Sequence, residues 1–318
     1  MISTTATRSA RELLGTDLKL HIGRHARKSF DWDAFPANRG YDELMRAQMR
    51  YVGAGGSPKI DDRSTLPPEH FTVSLIHQPV GTYAAAHSHE VEEAFLVLNG
   101  VLTVGWEQNG EAVEVGLGPK DMILNASDVA HGFRNQGVEP VLISIMVGAG
   151  RPLAPKYHAH PKDLGPERAA RFGAEPGKTI AFDPDSDHPL QRLMARHVVR
   201  FSALRPYWDP AGTARMIYVG EGGAPSRNTR KELVTVPKGC AVRAYSRQAE
   251  ETYFVLEGCL TVGWSAEGVT VEERLGPKDL LFTPKGRAHY FRNDGVGDAQ
   301  FFMVVGSAAP DGVVFLPS

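Results

Sequence analysis

The chain has 318 residues, a formal net charge of −2 and an isoelectric point near 6.6, which gives no electrostatic footprint for nucleic acid or an anionic membrane surface. No apolar run approaches the roughly 18 residues of a membrane span, the first stretch lacks a signal-like apolar segment, and two cysteines are too few for a disulfide framework or thiolate cluster. With 33 glycines and 22 prolines, the expectation is a cytoplasmic all-β protein of two ordinary domains with a few short helices.

In chain order, short helices are expected around residues 9–14 and 42–49, and strands over 50–58 and 70–81. Asn99-Gly100 stands between the apolar runs AFLVL and VLTVGW, the pattern of a tight β-hairpin. GLGPKDMIL closes a loop and opens a strand, and residues 138–148 read as another. The Pro- and His-containing stretch from about 151 to 210 reads as a linker with one short helix in RPLAPKYHAHPKDLGPERAARF.

The chain repeats itself. Gly239 lies 158 residues after Gly81, and the offset runs without a gap to Asn135 and Asn293; 26 of these 55 aligned positions are identical, including LTVGW and LGPKD. RYVGAGGSP at 50 recurs as IYVGEGGAP at 217. Two homologous β domains follow, placed at 1–155 and 156–318.

The stretch 81–100, GTYAAAHSHEVEEAFLVLNG, reads G-x5-H-x-H-x3-E-x6-G. Residues two apart on a strand share a face, so His87 and His89 project together. With Glu93 they make a good ligand set for one divalent transition metal.

At every fixed position this stretch resembles the first motif of the cupin family. The P-x-G-x2-H-x3-N part of the family's second motif is matched in copy two by Pro284, Gly286, His289 and Asn293. Copy one keeps His131 and Asn135 but carries Ala126 and Asp128 at the proline and glycine, a departure in a turn. The resemblance implies a bicupin of two double-sheet jelly-roll barrels. It also adds His131 to His87, His89 and Glu93 as metal ligand. Copy two has Tyr245 and Arg247 where the histidines belong; a guanidinium cannot ligate, so Arg247 is expected to pair with Glu251 in a metal-free barrel.

Bicupins similar to this one include iron(II) dioxygenases, and the first expectation is such an enzyme, cleaving a C–C bond of a small aromatic or diketone-like substrate with O₂. Glu93 is then also a candidate base. The alternatives are a non-redox Mn²⁺, Zn²⁺ or Ni²⁺ enzyme (decarboxylase, isomerase or amino hydrolase) and a non-catalytic small-molecule-binding bicupin. A homodimer fits the exposed sheet edges of jelly-roll domains.

Residues shared by both copies, such as Trp106, Asp121, Phe133, Arg134 and Asn135, read as architectural. Those particular to copy one, His77 and Tyr83, read as candidate catalytic groups. Glu92 has a twin in Glu250 and reads as structural. Three other motifs fail: His158-x-His160 lacks the glutamate and reads as solvated linker, GAEPGKT at 173–179 is one residue short of a phosphate loop, and DPDSDHP at 183–189 lacks the glycine and glutamate of a calcium loop.

Overall fold

A computed structural model describes residues 9–164 and 179–317. GAEPGKT, but for its last residue, and residues 165–172 of the stretch expected to hold one short helix lie outside them. The described residues hold two α-helices, Ala10–Leu20 and Pro189–Ala195, and are otherwise strands, single 3₁₀ turns and loops, so the all-β expectation holds.

The first barrel is built from two six-stranded sheets. One runs Val198–Val199, Met122–Asn125, Glu93–Asn99, Val141–Val147, Thr72–Gln78, Ala47–Val52; the other runs Lys156–Tyr157, Tyr83–Ser88, Ala130–Arg134, Leu102–Gln108, Glu111–Leu117, Thr179–Ala181. Inward-facing residues of both, among them Phe95, Val97, Ile143, Val104, Trp106 and Phe133, form one core. The second barrel repeats this with a seven-stranded and a five-stranded sheet around Trp264, Tyr253, Phe291 and Phe301.

Two local expectations are corrected. The helix around 42–49 is a single 3₁₀ turn, Asp42–Leu44, followed by the strand Ala47–Val52; the β-branched and aromatic end of that segment and its pairing with Thr72–Gln78 override helix propensity. Asn99-Gly100 is a turn but not a hairpin, because the strands on its two sides belong to different sheets. Gly100 is needed there: its φ is +78° and an added Cβ would lie 3.0 Å from Val141 Cγ2. The hairpin sits at the chain's other Asn-Gly, Asn109-Gly110, where both residues have positive φ (56° and 79°) and Gln108 pairs with Glu111. That is the type I′ pattern, whose twist matches the flanking strands. Asp128, in place of the motif's glycine, takes φ 63° against 74° for Gly286, and each N–H donates to a backbone carbonyl at 2.8 Å, of His89 and Arg247 respectively. Aspartate tolerates the left-handed region, so the turn survives the departure.

Contacts do not divide the chain at residue 155. Of the described residues, one unit holds those of 28–204 and Tyr218–Thr229; the other holds Arg205–Ile217, those from Arg230 onward and those through Arg27. The helix Ala10–Leu20 and strand Ile22–Gly23 therefore serve the second barrel. Leu14 and Leu18 enter its core, and Ile22 pairs with Leu281. The helix Pro189–Ala195 and strand Val198–Val199 serve the first, with Leu190 and Met194 in its core and Val198 paired with Ile123.

These arms are themselves a repeat that the sequence reading missed. His21 and His197 each bond through Nδ1 to the carbonyl four residues back at 2.9 Å, and lie against Trp264 and Trp106 at 4.8 and 5.5 Å. Arg24 and Arg200 donate to Asp279 and Asp121 at 3.0 and 2.8 Å. This explains the recurring aspartates: each caps its own turn and grips an arm. Arg134 is likewise architectural, paired with Glu114, as are Asn135, which donates to the carbonyls of Gln78 and Glu139, and Glu92, which accepts from Ser226 and the Arg227 N–H.

Candidate metal centre

His87 is the penultimate residue of the strand Tyr83–Ser88, His89 follows that strand, Glu93 opens the strand Glu93–Asn99, and His131 lies on Ala130–Arg134. All four are buried, and one ligand atom from each lies within 4.8 Å of all the others. From Glu93 Oε2, the Nε2 atoms of His131, His89 and His87 stand at 3.1, 3.5 and 3.8 Å. Ligands roughly 2.0–2.2 Å from a shared ion stand about 3–3.5 Å apart, so the cluster has the dimensions of a coordination sphere.

The imidazole tautomers support this. Nδ1 of His87 and of His131 each lies 2.8 Å from a backbone carbonyl, Ala85 and Val129. A carbonyl only accepts, so Nδ1 carries the proton and the Nε2 lone pair faces the cluster. Burial lowers the pKa of His87 to about 4 and also lowers that of His89. Burial works against ionising Glu93, but its closeness to the His89, His131 and His87 rings prevails and holds its carboxyl well below the usual range. Neutral imidazoles and one carboxylate are the donors that a divalent transition ion takes. Asn125 accepts from Trp106 Nε1 at 2.8 Å and donates to the Glu93 carbonyl at 3.1 Å, tying the ligand strand to the core.

The two candidate catalytic groups do not join the cluster. His77 lies on the face of its strand opposite Ile76, which enters the core, and sits between Phe30 and Trp32, each ring 5.7 Å away. Tyr83 is separated from His87 by a β-bulge: Ala84 pairs with Phe133, and the register shifts before His87 meets His131. The extra residue reverses the alternation, so Tyr83 packs with Leu44 and Ala85, its phenol raised to about 12 by burial and Glu43.

Two residues that sequence reasoning missed stand at the centre. Arg46, 6% exposed, lines a cavity of about 30 Å³ with His87, His89 and Glu93. Its guanidinium lies 4.2 Å from the Phe35 ring, feels Tyr157 and Glu93, and has no carboxylate within ion-pair distance among the described residues; burial depresses its pKa. Tyr157, on a strand paired with His87 and Ser88, lines the same cavity, its ring 5.9 Å from His87. The stretch read as solvated linker thus closes the first barrel: His160 is buried against Tyr41 and Tyr157, while His158, more exposed, bonds Ser88. A signal was available. At the offsets of the two repeat blocks, Arg46 aligns with Thr213 and Tyr157 with Phe315, so both are particular to copy one.

In the second barrel Arg247 Nε donates to Glu251 Oε1 at 2.8 Å, and Tyr245, Tyr253 and His289 complete a hydrogen-bonded cluster where the first barrel has its ligands. The expected salt bridge is present. Glu251→Ala leaves Arg247 without its buried counter-charge and is expected to cost about 3 kcal/mol of stability with no change in metal content. Thermal melts beside elemental analysis check this; a matching loss of metal would place an ion in the second barrel.

The cupin-domain family model matches residues 74–148 and 232–305, one match in each barrel. The chain is a bicupin of the cupin superfamily. Among solved structures, this bicupin resembles the Bacillus subtilis oxalate decarboxylase studied for its Mn(II) centres. The TM-score is 0.65 at 14% identity, over 93% of this chain and 79% of that one. The Lactobacillus farciminis oxalate decarboxylase in its formate complex gives the same score and identity, over 93% and 88%. At that identity the likeness concerns the fold. A search of curated protein sequences returns no match. No helix among the described residues of the bicupin is long and apolar enough to cross a membrane.

Proposed function

We propose that this bicupin is a divalent-metal enzyme acting without redox change on a small carboxylate or enolisable substrate, as a decarboxylase, isomerase or amino hydrolase. The observation that carries the reading is Arg46: a buried guanidinium with no ion-pair partner among the described residues, lining the cavity of the ligand cluster, is costly unless an anion completes it. The oxalate decarboxylases that share the fold, one of them studied for its Mn(II) centres, add support and turn the balance from the iron dioxygenase expected first.

His87, His89, Glu93 and His131 would hold a divalent ion, which when bound would supply Lewis acidity toward a substrate oxygen. Arg46 anchors the substrate's carboxylate and sets its orientation. Tyr157, which lines the same cavity as Arg46, is the candidate to hand a proton to the reacting carbon or oxygen. Glu93, drawn on by three imidazoles, suits ligation better than the base role.

Protein purified without added metal and analysed for its elements is expected to hold about one manganese, zinc or nickel per chain. Such protein should convert a carboxylate substrate without O₂ uptake. About one iron per chain, with O₂ consumed in step with substrate, would restore the dioxygenase reading.

A further inference from the structure

The inner cavity, about 30 Å³, has room for an ion or a water beside the ligands but not for the body of a substrate. It shares Phe35, Gly56, Pro155 and Tyr157 with a second cavity of about 470 Å³, the size of a small-molecule pocket. The walls of that outer cavity are mostly apolar, with Phe35, Ile60, Pro68, Leu153, Pro155 and Tyr157 among them. Its charged lining residues among those described are Asp61 and Arg151, one of each sign, so the outer walls do not select a charged group. Ile60 and Leu153 are 72% and 68% exposed, apolar surface left open to a ligand.

A cationic end and an apolar chamber thus meet at Phe35 and Tyr157. From this we infer that the substrate class is a monocarboxylate with an aromatic or branched-alkyl body, its carboxylate on Arg46 and its body in the outer cavity. The inference rests on the proposed anchoring role of Arg46 and extends it. A two-carbon dianion such as oxalate has no apolar body to fill the chamber, so the site differs in substrate from the decarboxylases whose fold it shares.

Calorimetric titration of the Mn²⁺-loaded protein with phenylacetate, acetate and oxalate tests it. Phenylacetate is expected to bind at least tenfold tighter than acetate or oxalate. Arg46→Gln should weaken phenylacetate and acetate alike by about tenfold or more with metal content unchanged. Ile60→Asn with Leu153→Asn, at exposed positions, should weaken phenylacetate about threefold or more and leave acetate alone; this pair decides if Arg46→Gln fails to fold. Equal affinities for phenylacetate and acetate, or unchanged affinities in a folded Arg46→Gln protein, overturn the inference. Carboxylate turnover without O₂ alongside equal affinities removes the apolar-body inference and keeps the non-redox reading. Tight phenylacetate binding with O₂-coupled turnover does the reverse.

Discussion

Exchanging both His87 and His89 for alanine is expected to reduce bound metal from about one ion per chain to below roughly one-tenth. Even outer partners of ligands carry about 10–100-fold of metal affinity, and here two of four donors are lost. The remaining pair, Glu93 and His131, lies 3.1 Å apart and makes a bidentate site at best. Ion binding stabilises the state that binds it, by about 2.7 kcal/mol at a hundredfold excess over the dissociation constant. For a domain of this size that is a melting shift of about 5–10 °C. Chelator treatment should therefore lower the melting temperature of the parent protein and leave the double variant unmoved. The second barrel already carries the corresponding exchange, Tyr245 and Arg247, and stays folded around a salt bridge instead. Full metal content in the alanine variant, measured by elemental analysis, would move the ion elsewhere.

The second large effect separates chain position from barrel membership. Leu190→Ala with Met194→Ala removes two buried side chains from the first barrel's core, although both lie beyond residue 155. Each such truncation costs about 2–5 kcal/mol, so the pair approaches the whole stability of an ordinary domain. Metal binding should fail with it. Leu14→Ala with Leu18→Ala strikes the second barrel's core from the N-terminal end of the chain, with a comparable cost in stability and the metal content retained. Elemental analysis beside melting curves distinguishes the two; loss of metal from the N-terminal pair alone would reverse the assignment of the arms.

The metal quartet was legible because its information is local. Three of its donors fall within seven consecutive residues, and the fourth follows from a second motif inside the same repeat. The repeat also exposed the departure in the second copy, since a guanidinium at a ligand position cannot ligate in any conformation. Arg46 and Tyr157 escaped because each lies outside the gapless alignment, one in a segment read as helix and the other in one read as linker. His77 and Tyr83 were near the ligands in sequence and yet point away, one by strand alternation and the other by the bulge that shifts the count by one.

What the sequence by itself determined is the fold family, the doubling of the barrel, the ligand set and its loss in the second copy. These depend on residue chemistry and on spacings of a few residues. What only the tertiary structure decided is which strands pair across Asn99-Gly100, which arm closes which barrel, and which cation and phenol stand over the ligands. Those outcomes depend on long-range burial: an apolar strand or helix gains its free energy from whichever surface it covers, and nothing in its own residues names that surface.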